Sequence, residues 1–319
     1  MQGMMTVFWK ELADDFTSKR FVILFLVVLL AVGFAIFISV QAIDALKEAV
    51  TTGTHFVFLM LFVPPIDLPF FMRFIFFIAF LVPLIGIALG FDAINGEKST
   101  GTLSRLLAQP IYRDSVINGK FLAGVVTIAI MLTSIVLLVS GIGLNIIGVA
   151  PTAEEVLRLM TFIAIGTVYG AFWLGLAMLF SIFFQRVATS ALASIGVWIF
   201  FFFYVLMFAG IIASFVAPVG ETQLSQLQNA EVQIMLMRLS PIQLFEESAT
   251  FVLGPEAITK MQYLQLQAQA ASKFFTPAPL SFGQSLMIVW PHLVSLVALT
   301  VVCFAISYAK FMREEIRST

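Results

Sequence analysis

Gly96, Glu97, Lys98, Ser99 and Thr100 stand between two long apolar runs, and glycine ahead of lysine and serine is the residue set that cradles phosphates. Phosphate chemistry fails here on spacing. A P-loop reads G-x-x-x-x-G-K-[ST], with lysine directly after the second glycine. In this chain five residues separate Gly90 from Gly96, and Glu97 intrudes before Lys98. That carboxylate would face the phosphates. The residues ahead of it, FFIAFLVPLIGIALGF, read as a long apolar helix and not as the strand a P-loop follows. No nucleotide site is expected in this chain. Other reactive side chains are sparse. His55 and His292 are too few and too scattered for a metal cluster, and a single cysteine, Cys303, can form no internal disulfide.

The elements that hold these residues are set by composition. Of 319 residues, 61% are hydrophobic and 11% charged, against roughly 25% charged in a soluble domain. Mean hydropathy is +1.04. The chain reads as an all-α integral membrane protein. A formal net charge of −1 gives it no pull toward nucleic acid. No cleaved signal peptide is expected, because the first apolar run is longer than a signal core and no small-x-small site follows it closely. Crossing the hydrocarbon layer takes about twenty apolar residues, and six stretches qualify: about 21–41, 70–91, 115–142, 153–184, 188–216 and 285–310. Pro83 is expected to kink the second, and Thr152 with Glu155 to form a capping box ahead of the fourth. The run HFVFLMLFV at 55–63 is too short to cross and reads as an interfacial or re-entrant piece.

Lys and Arg near the ends of spans set orientation. Lys10, Lys19, Arg20, Lys98, Arg105, Arg113, Lys120, Arg186, Lys310, Arg313 and Arg317 fall on one side, in short segments. Lys47, Arg73, Arg158, Arg238, Lys260 and Lys273 fall on the other, spread over much longer segments, with two larger excursions at about 42–69 and 217–283. The dense side is expected in the cytoplasm with both termini, in the plasma membrane, and 217–283 outside as a helical loop.

Two features on the dense side have the pattern of docking elements. Residues 1–20 place Phe8, Leu12 and Phe16 at helical spacing, with Trp9 and Ala13 widening the stripe and Lys10, Glu11, Asp14 and Asp15 opposite. This is an amphipathic helix along the membrane surface, an anchor in its simplest reading. After Ser99 and Thr100, either of which can cap a helix, Leu103, Leu106 and Leu107 share one face and Arg105 the other, until Pro110. A helix of about two turns is marginal alone. Burying each leucine is worth roughly 1.5–3 kcal/mol before ordering costs, so it must pack on the membrane surface, on another protein or under its own bundle.

FDAINGEKSTGTLSRLLAQPIYRDSVINGKF resembles the loop between the second and third spans of ABC-2 type transporter permeases, a type V exporter-like transmembrane domain. Glu97, Gly101, Thr102, Leu103, Leu106, Leu107, Pro110, Arg113 and Lys120 occupy the motif's places. Asp92, Ala93, Ile94, Gly96 and Glu97 match the DAI-x-GE start of its NosY-like branch, and WKEL (9–12) and LSPIQLFEES (239–248) add to the likeness. The resemblance implies one transmembrane domain over 1–319. It implies a second permease chain, in a homodimer or a heterodimer, and a separate ATPase subunit that holds ATP and Mg, with no cofactor in this chain. It makes 103–110 a coupling helix, with Glu97, Gly101, Thr102, Leu103, Arg105, Leu106, Leu107 and Arg113 as ATPase-coupling residues. It makes the N-terminal helix an elbow carrying Phe8, Trp9, Leu12 and Phe16. The long helical segment before the sixth span departs from the family pattern.

Inside the spans ionisable groups are few, which argues against a hydrophilic pore and for amphipathic or lipid-like cargo. Asn145, Tyr169, Trp173, Tyr204 and His292 are candidate cavity-lining residues, although a packed bundle would use the same side chains. His292 reads as a ring bonded to a neighbouring helix, or as a proton or substrate contact. Outside, LSQLQNAEVQIMLMRL and IQLFEESATFVL read as amphipathic helices ending at Ser240-Pro241 and Gly254-Pro255. They lie on the membrane, or they dock an extracytoplasmic protein to which the chain relays ATP-driven motion without moving cargo.

Overall fold

A computed structural model describes residues 2–41, 56–63, 73–102, 111–148, 150–220, 223–255 and 280–313. The described chain is helical throughout. Helix α1 (Gln2–Thr17) turns at Ser18 into α2 (Lys19–Gln41), and a short 3-10 turn covers Val57–Leu61. Then follow α3 (Phe74–Gly90), the five-residue α4 (Asn95–Ser99), α5 (Arg113–Ile147) and α6 (Ala153–Phe183). Next come α7 (Val187–Phe203), a π turn over Tyr204–Phe208 and α8 (Ala209–Val216), without a break. The chain closes with α9 (Gln223–Met237), α10 (Pro241–Leu253) and α11 (Phe282–Arg313).

Among the described residues, five helical stretches are long and apolar enough to cross a membrane: Lys19–Phe37, Phe74–Ser99, Arg113–Asn145, Ala153–Phe183 and Phe282–Arg313. The stretch expected as a fifth span in chain order differs, because the π turn divides it and leaves α7 with 17 residues. Pro83 lies inside α3 without ending it.

The hub is α6, whose most apolar stretch is 72% buried, against 28% for that of α2 and 22% for that of α11. Its small residues explain why. A Cβ on Gly86 of α3 would lie 2.8 Å from the Gly170 carbonyl, and one on Gly90 would lie 2.8 Å from the Leu174 carbonyl and the Ala177 Cβ. From the other side Leu174 sits on Gly124 of α5, and Ile128 on Gly170. Lipid tails are as apolar as leucine, so helices in a membrane gain by close backbone approach, which glycine permits.

The capping box ahead of α6 forms as its spacing predicts. Thr152 Oγ1 accepts from the Glu155 N–H at 3.3 Å, and Glu155 Oε2 accepts from the Thr152 N–H at 2.8 Å. Glu155 also takes a bond at 2.8 Å from the Phe58 N–H. This fixes the 3-10 turn, whose Phe58, Leu59, Leu61 and Phe62 are buried.

The same end of the bundle corrects the surface reading of 241–253. Helix α10 is inserted among α3, α6 and α11, with Ile242, Leu244, Phe245, Ala249, Val252 and Leu253 buried. Phe245 stacks on Tyr169 with ring centroids 4.5 Å apart. Arg158 of α6 is fully buried and spends all five of its N–H donors: on Glu154 (3.2 and 2.8 Å), the Val252 carbonyl (3.1 Å), Ser285 Oγ (3.0 Å) and the Leu280 carbonyl (2.6 Å). His292 Nε2 meets Glu247 of α10 at 2.8 Å. A short amphipathic helix reads as a surface element from sequence, yet here its apolar face covers spans and its polar residues find buried partners. Helix α9 folds back beside α8, where Asn229 Nδ2 donates to the Ala217 carbonyl at 2.8 Å.

Candidate functional site

At the opposite end of the bundle, where α1 and the last turn of α11 lie, charged side chains from five segments converge. Helix α1 lies along the start of α5, and Gly119 lets it come close: a Cβ there would be 2.9 Å from Val7 Cγ1 and 3.1 Å from the Met4 carbonyl. One residue further, Lys120 is buried to 8% exposure and donates to two carboxylates, Glu11 of α1 and Glu97 of α4, each at 2.8 Å. Lys10 bonds Glu11 at 2.9 Å and Asp14 at 3.2 Å, and lies 4.0 Å from Glu97. Thr127 Oγ1, two turns along α5, donates to Asp15 at 3.1 Å.

These contacts revise the two faces of α1. Val7 and Phe8 are buried and Leu12 is half-buried, but Trp9 is 64% and Phe16 38% exposed. Glu11 and Asp15, assigned from sequence to the outward polar side, face α5. A helix's own periodicity cannot show that its acids have a lysine waiting on another segment.

The matched motif has a structural task at each described position. Asp92 bonds Arg20 at the head of α2, whose guanidinium lies 5.4 Å from the Phe91 ring centroid. Ile94 is fully buried. Ser181 Oγ of α6 accepts from the N–H groups of Ile94 and Asn95 at 3.0 and 3.1 Å and donates to Asn95 Oδ1 at 3.1 Å. Asn95 Nδ2 then donates to the Phe184 carbonyl at 3.3 Å. Ser99 and Thr100 send their hydroxyls back to the Gly96 carbonyl, and Thr102 to that of Glu97, which closes α4. Gly101 then takes φ +69°, the left-handed conformation that stops a helix and that other residues rarely adopt. Arg113 opens α5, half-buried. Leu103, Arg105, Leu106 and Leu107 lie outside the described residues.

Burial and charge act against each other in this cluster. Burial alone would drive the Glu11 carboxyl upward, but the charge and hydrogen bond of Lys120, then those of Lys10, outweigh it and hold the pKa below the ordinary carboxylate value. Lys10 likewise resists burial through Glu11 and Asp14, and its pKa is raised. Asp15 has no cation bonded to it among the described residues. Burial, aided by the charges of Glu11 and Asp14 and only partly offset by the Thr127 hydroxyl and the Lys120 charge, pushes its pKa up to about 6. Around these groups lies a cavity of about 700 Å³, walled by the charged residues and floored by Phe21, Leu24, Ile85 and Leu89.

The candidate cavity residues do not form one cluster, although Tyr169 and Trp173, one turn apart on α6, touch edge to face. Tyr169 and Trp173 are fully buried core side chains, and the Tyr169 hydroxyl donates to the Ala79 carbonyl at 2.8 Å. Tyr204 stands in the π turn against Phe200, Asn145 is exposed near the far end of α5, and His292 belongs to the α10 contact. Sequence reasoning missed Ser181 and the pairing of Glu11 with Lys120. Ser181 carries no signal, being one serine in an apolar helix, whereas Lys120 inside the head of a span demands an acid.

A family model described as ABC-2 family transporter protein matches residues 5–316. The chain is 32% identical over 132 residues to the probable ABC transporter permease protein NosY of Pseudomonas aeruginosa, across 40% of this chain and 46% of that one. It is 33% identical over 135 residues to the protein of the same description from Stutzerimonas stutzeri, with the same coverage. The chain thus spans about half the length of the curated relatives it matches.

Proposed function

From the fact that the chain belongs to the ABC-2 family of transporter proteins, we propose that it is a permease subunit driven by a separate ATPase that binds ATP and Mg. It is a multi-pass membrane protein. In the proposal α7, the π turn and α8 together make the remaining crossing, the α1 end lies in the cytoplasm, and a second permease chain completes the pathway.

The observation that carries the reading is the double bridge at Lys120. The segment leaving α4 is tied through Glu97 to Lys120 of α5, through Lys120 to Glu11 of α1, and through Asn95 to Ser181 of α6. A push delivered to 103–110 would therefore reach several helices at once. Turning a bundle from 1:99 to 99:1 needs about 5.5 kcal/mol of differential binding, and a loosely held loop would dissipate it. Leu106→Asp is expected to release the ATPase while the bundle stays folded, measured by copurification and by ATP hydrolysis. Intact copurification with unchanged hydrolysis would remove the coupling role.

The cargo is proposed to be amphipathic or lipid-like, supported by spans whose described Asp, Glu, Lys and Arg residues sit toward their ends. One observation favours a second reading, a relay to an extracytoplasmic protein. Helix α10 is keyed to α6 and α11 through Arg158 and His292, so the outer segment would move with the spans. Solute-stimulated hydrolysis in liposomes speaks for transport; loss of a copurifying outer protein on deleting 220–273 speaks for the relay.

A further inference from the structure

The charges around the α1-end cavity do not balance among themselves. Lys120 is shared by Glu11 and Glu97 through one oxygen of each, and Glu97 Oε2 is buried with no hydrogen-bond partner. A buried carboxylate oxygen without a donor is costly. Asp15 on the same wall has a hydroxyl, Thr127, as its side-chain partner and sits opposite no cation at hydrogen-bond distance among the described residues. Both acids line the cavity. Glu97 Oε2 lacks any donor, and Asp15 lacks a charged one at hydrogen-bond distance among the described residues.

The rest of the lining says what else the occupant carries. Lys19 and Arg20 stand at the head of α2, both exposed, where cationic side chains at the end of a span reach the phosphate level. Below them the floor is apolar, with Phe21, Leu24, Ile85 and Leu89. A volume of about 700 Å³ falls within the roughly 300–1,000 Å³ of small-molecule sites. A small soluble amine would leave that floor uncovered. A purely anionic headgroup would leave the two acids unanswered.

We propose that the cavity between α1 and the head of α2 binds the headgroup of a zwitterionic aminophospholipid, with the primary ammonium at Glu97 and Asp15 and the phosphodiester at Lys19 and Arg20. The proposal rests on the reading that the α1 end lies at the membrane surface. It makes the lipid a structural ligand of the joint through which Glu97 holds α4 to α5. Phosphatidylcholine shares the phosphodiester but its quaternary ammonium has no N–H, so it leaves Glu97 Oε2 without a donor.

The test uses the full chain reconstituted in vesicles of equal phosphatidylethanolamine and phosphatidylcholine, re-extracted in mild detergent, with retained lipid measured by mass spectrometry. Phosphatidylethanolamine is expected to be retained about tenfold over phosphatidylcholine, the scale of one buried charged hydrogen bond. Glu97→Gln and Asp15→Asn, each checked for an unchanged helical spectrum, should return the ratio to that of the vesicle. Lys19→Ala, at an exposed site, should lower retention of both lipids alike. Equal retention of the two lipids by the unaltered chain overturns the proposal, as does an unchanged preference in Glu97→Gln. So does preferential retention of phosphatidylglycerol when that lipid is added. If soluble phosphoethanolamine displaces the lipid at equal concentration, the apolar floor plays no part and the lipid assignment fails. None of these readouts needs the ATPase, so failure here is separate from failure of the coupling role.

Discussion

Lys120 carries the largest share of the α1-end cluster because one ammonium answers two acids from segments remote in sequence. Breaking a buried pair by removing one partner typically costs about 3–5 kcal/mol, which places Lys120 among the side chains the fold can least lose. Asp15, one turn beyond Glu11, is the opposite case. Its pKa rises from the ordinary 3.8 to about 6, so the folded chain binds more protons than the unfolded chain between those values. Stability from this group is therefore full near pH 4 and falls as pH climbs to about 6, levelling above it. The rise corresponds to at most about 3 kcal/mol. Glu11, held below its ordinary value, acts in the opposite sense at lower pH. Asp15→Asn keeps an acceptor for Thr127 and should raise the melting temperature at pH 7 by a few degrees. It should also flatten the pH 4–6 slope in detergent melts; an identical slope in the variant would show that another group titrates there.

Among the elements, the seam between α3 and α6 is set by close backbone approach, with the Tyr169 hydroxyl bonded across it to the Ala79 carbonyl. A side chain at Gly90 would meet the Leu174 carbonyl and the Ala177 Cβ, both at 2.8 Å. A backbone oxygen cannot swing away as a side chain can. Gly90→Val is expected to cost about 1–3 kcal/mol or more by overpacking. Gly33→Val on α2, where nothing lies within 4 Å, is the matched control. Equal melting temperatures for the two variants would refute a close seam. Helix α10 shows what periodicity leaves open. Its pattern marks an apolar face correctly, but that face could meet lipid headgroups or neighbouring spans, and only Phe245 on Tyr169 and Glu247 on His292 settle which.

For the molecule as a whole, orientation rests on the crowding of Lys and Arg at the α1 end. A reporter inserted near Gln265, outside the described residues, should report the extracytoplasmic side, and a fusion at Thr319 the cytoplasmic side. Matching signals from the two would overturn the topology, and with it the placement of 103–110 beside an ATPase. The π turn between α7 and α8 bears on the same count, since an even number of crossings requires that stretch to traverse the membrane.

The sequence by itself determined the long apolar helices and the Thr152–Glu155 cap. Both are local: an apolar run long enough to cross, and a side chain reaching three residues on. It also carried the family motif, which is contiguous. Only the tertiary structure decided the partners of that motif, such as Arg20 for Asp92 across 72 residues and Ser181 for Asn95 across 86. It alone decided that Arg158, Tyr169, Trp173 and α10 lie inside. Helices apolar on every side do not show which face meets a neighbour, so close approach at glycines and charge pairs between distant segments choose the arrangement.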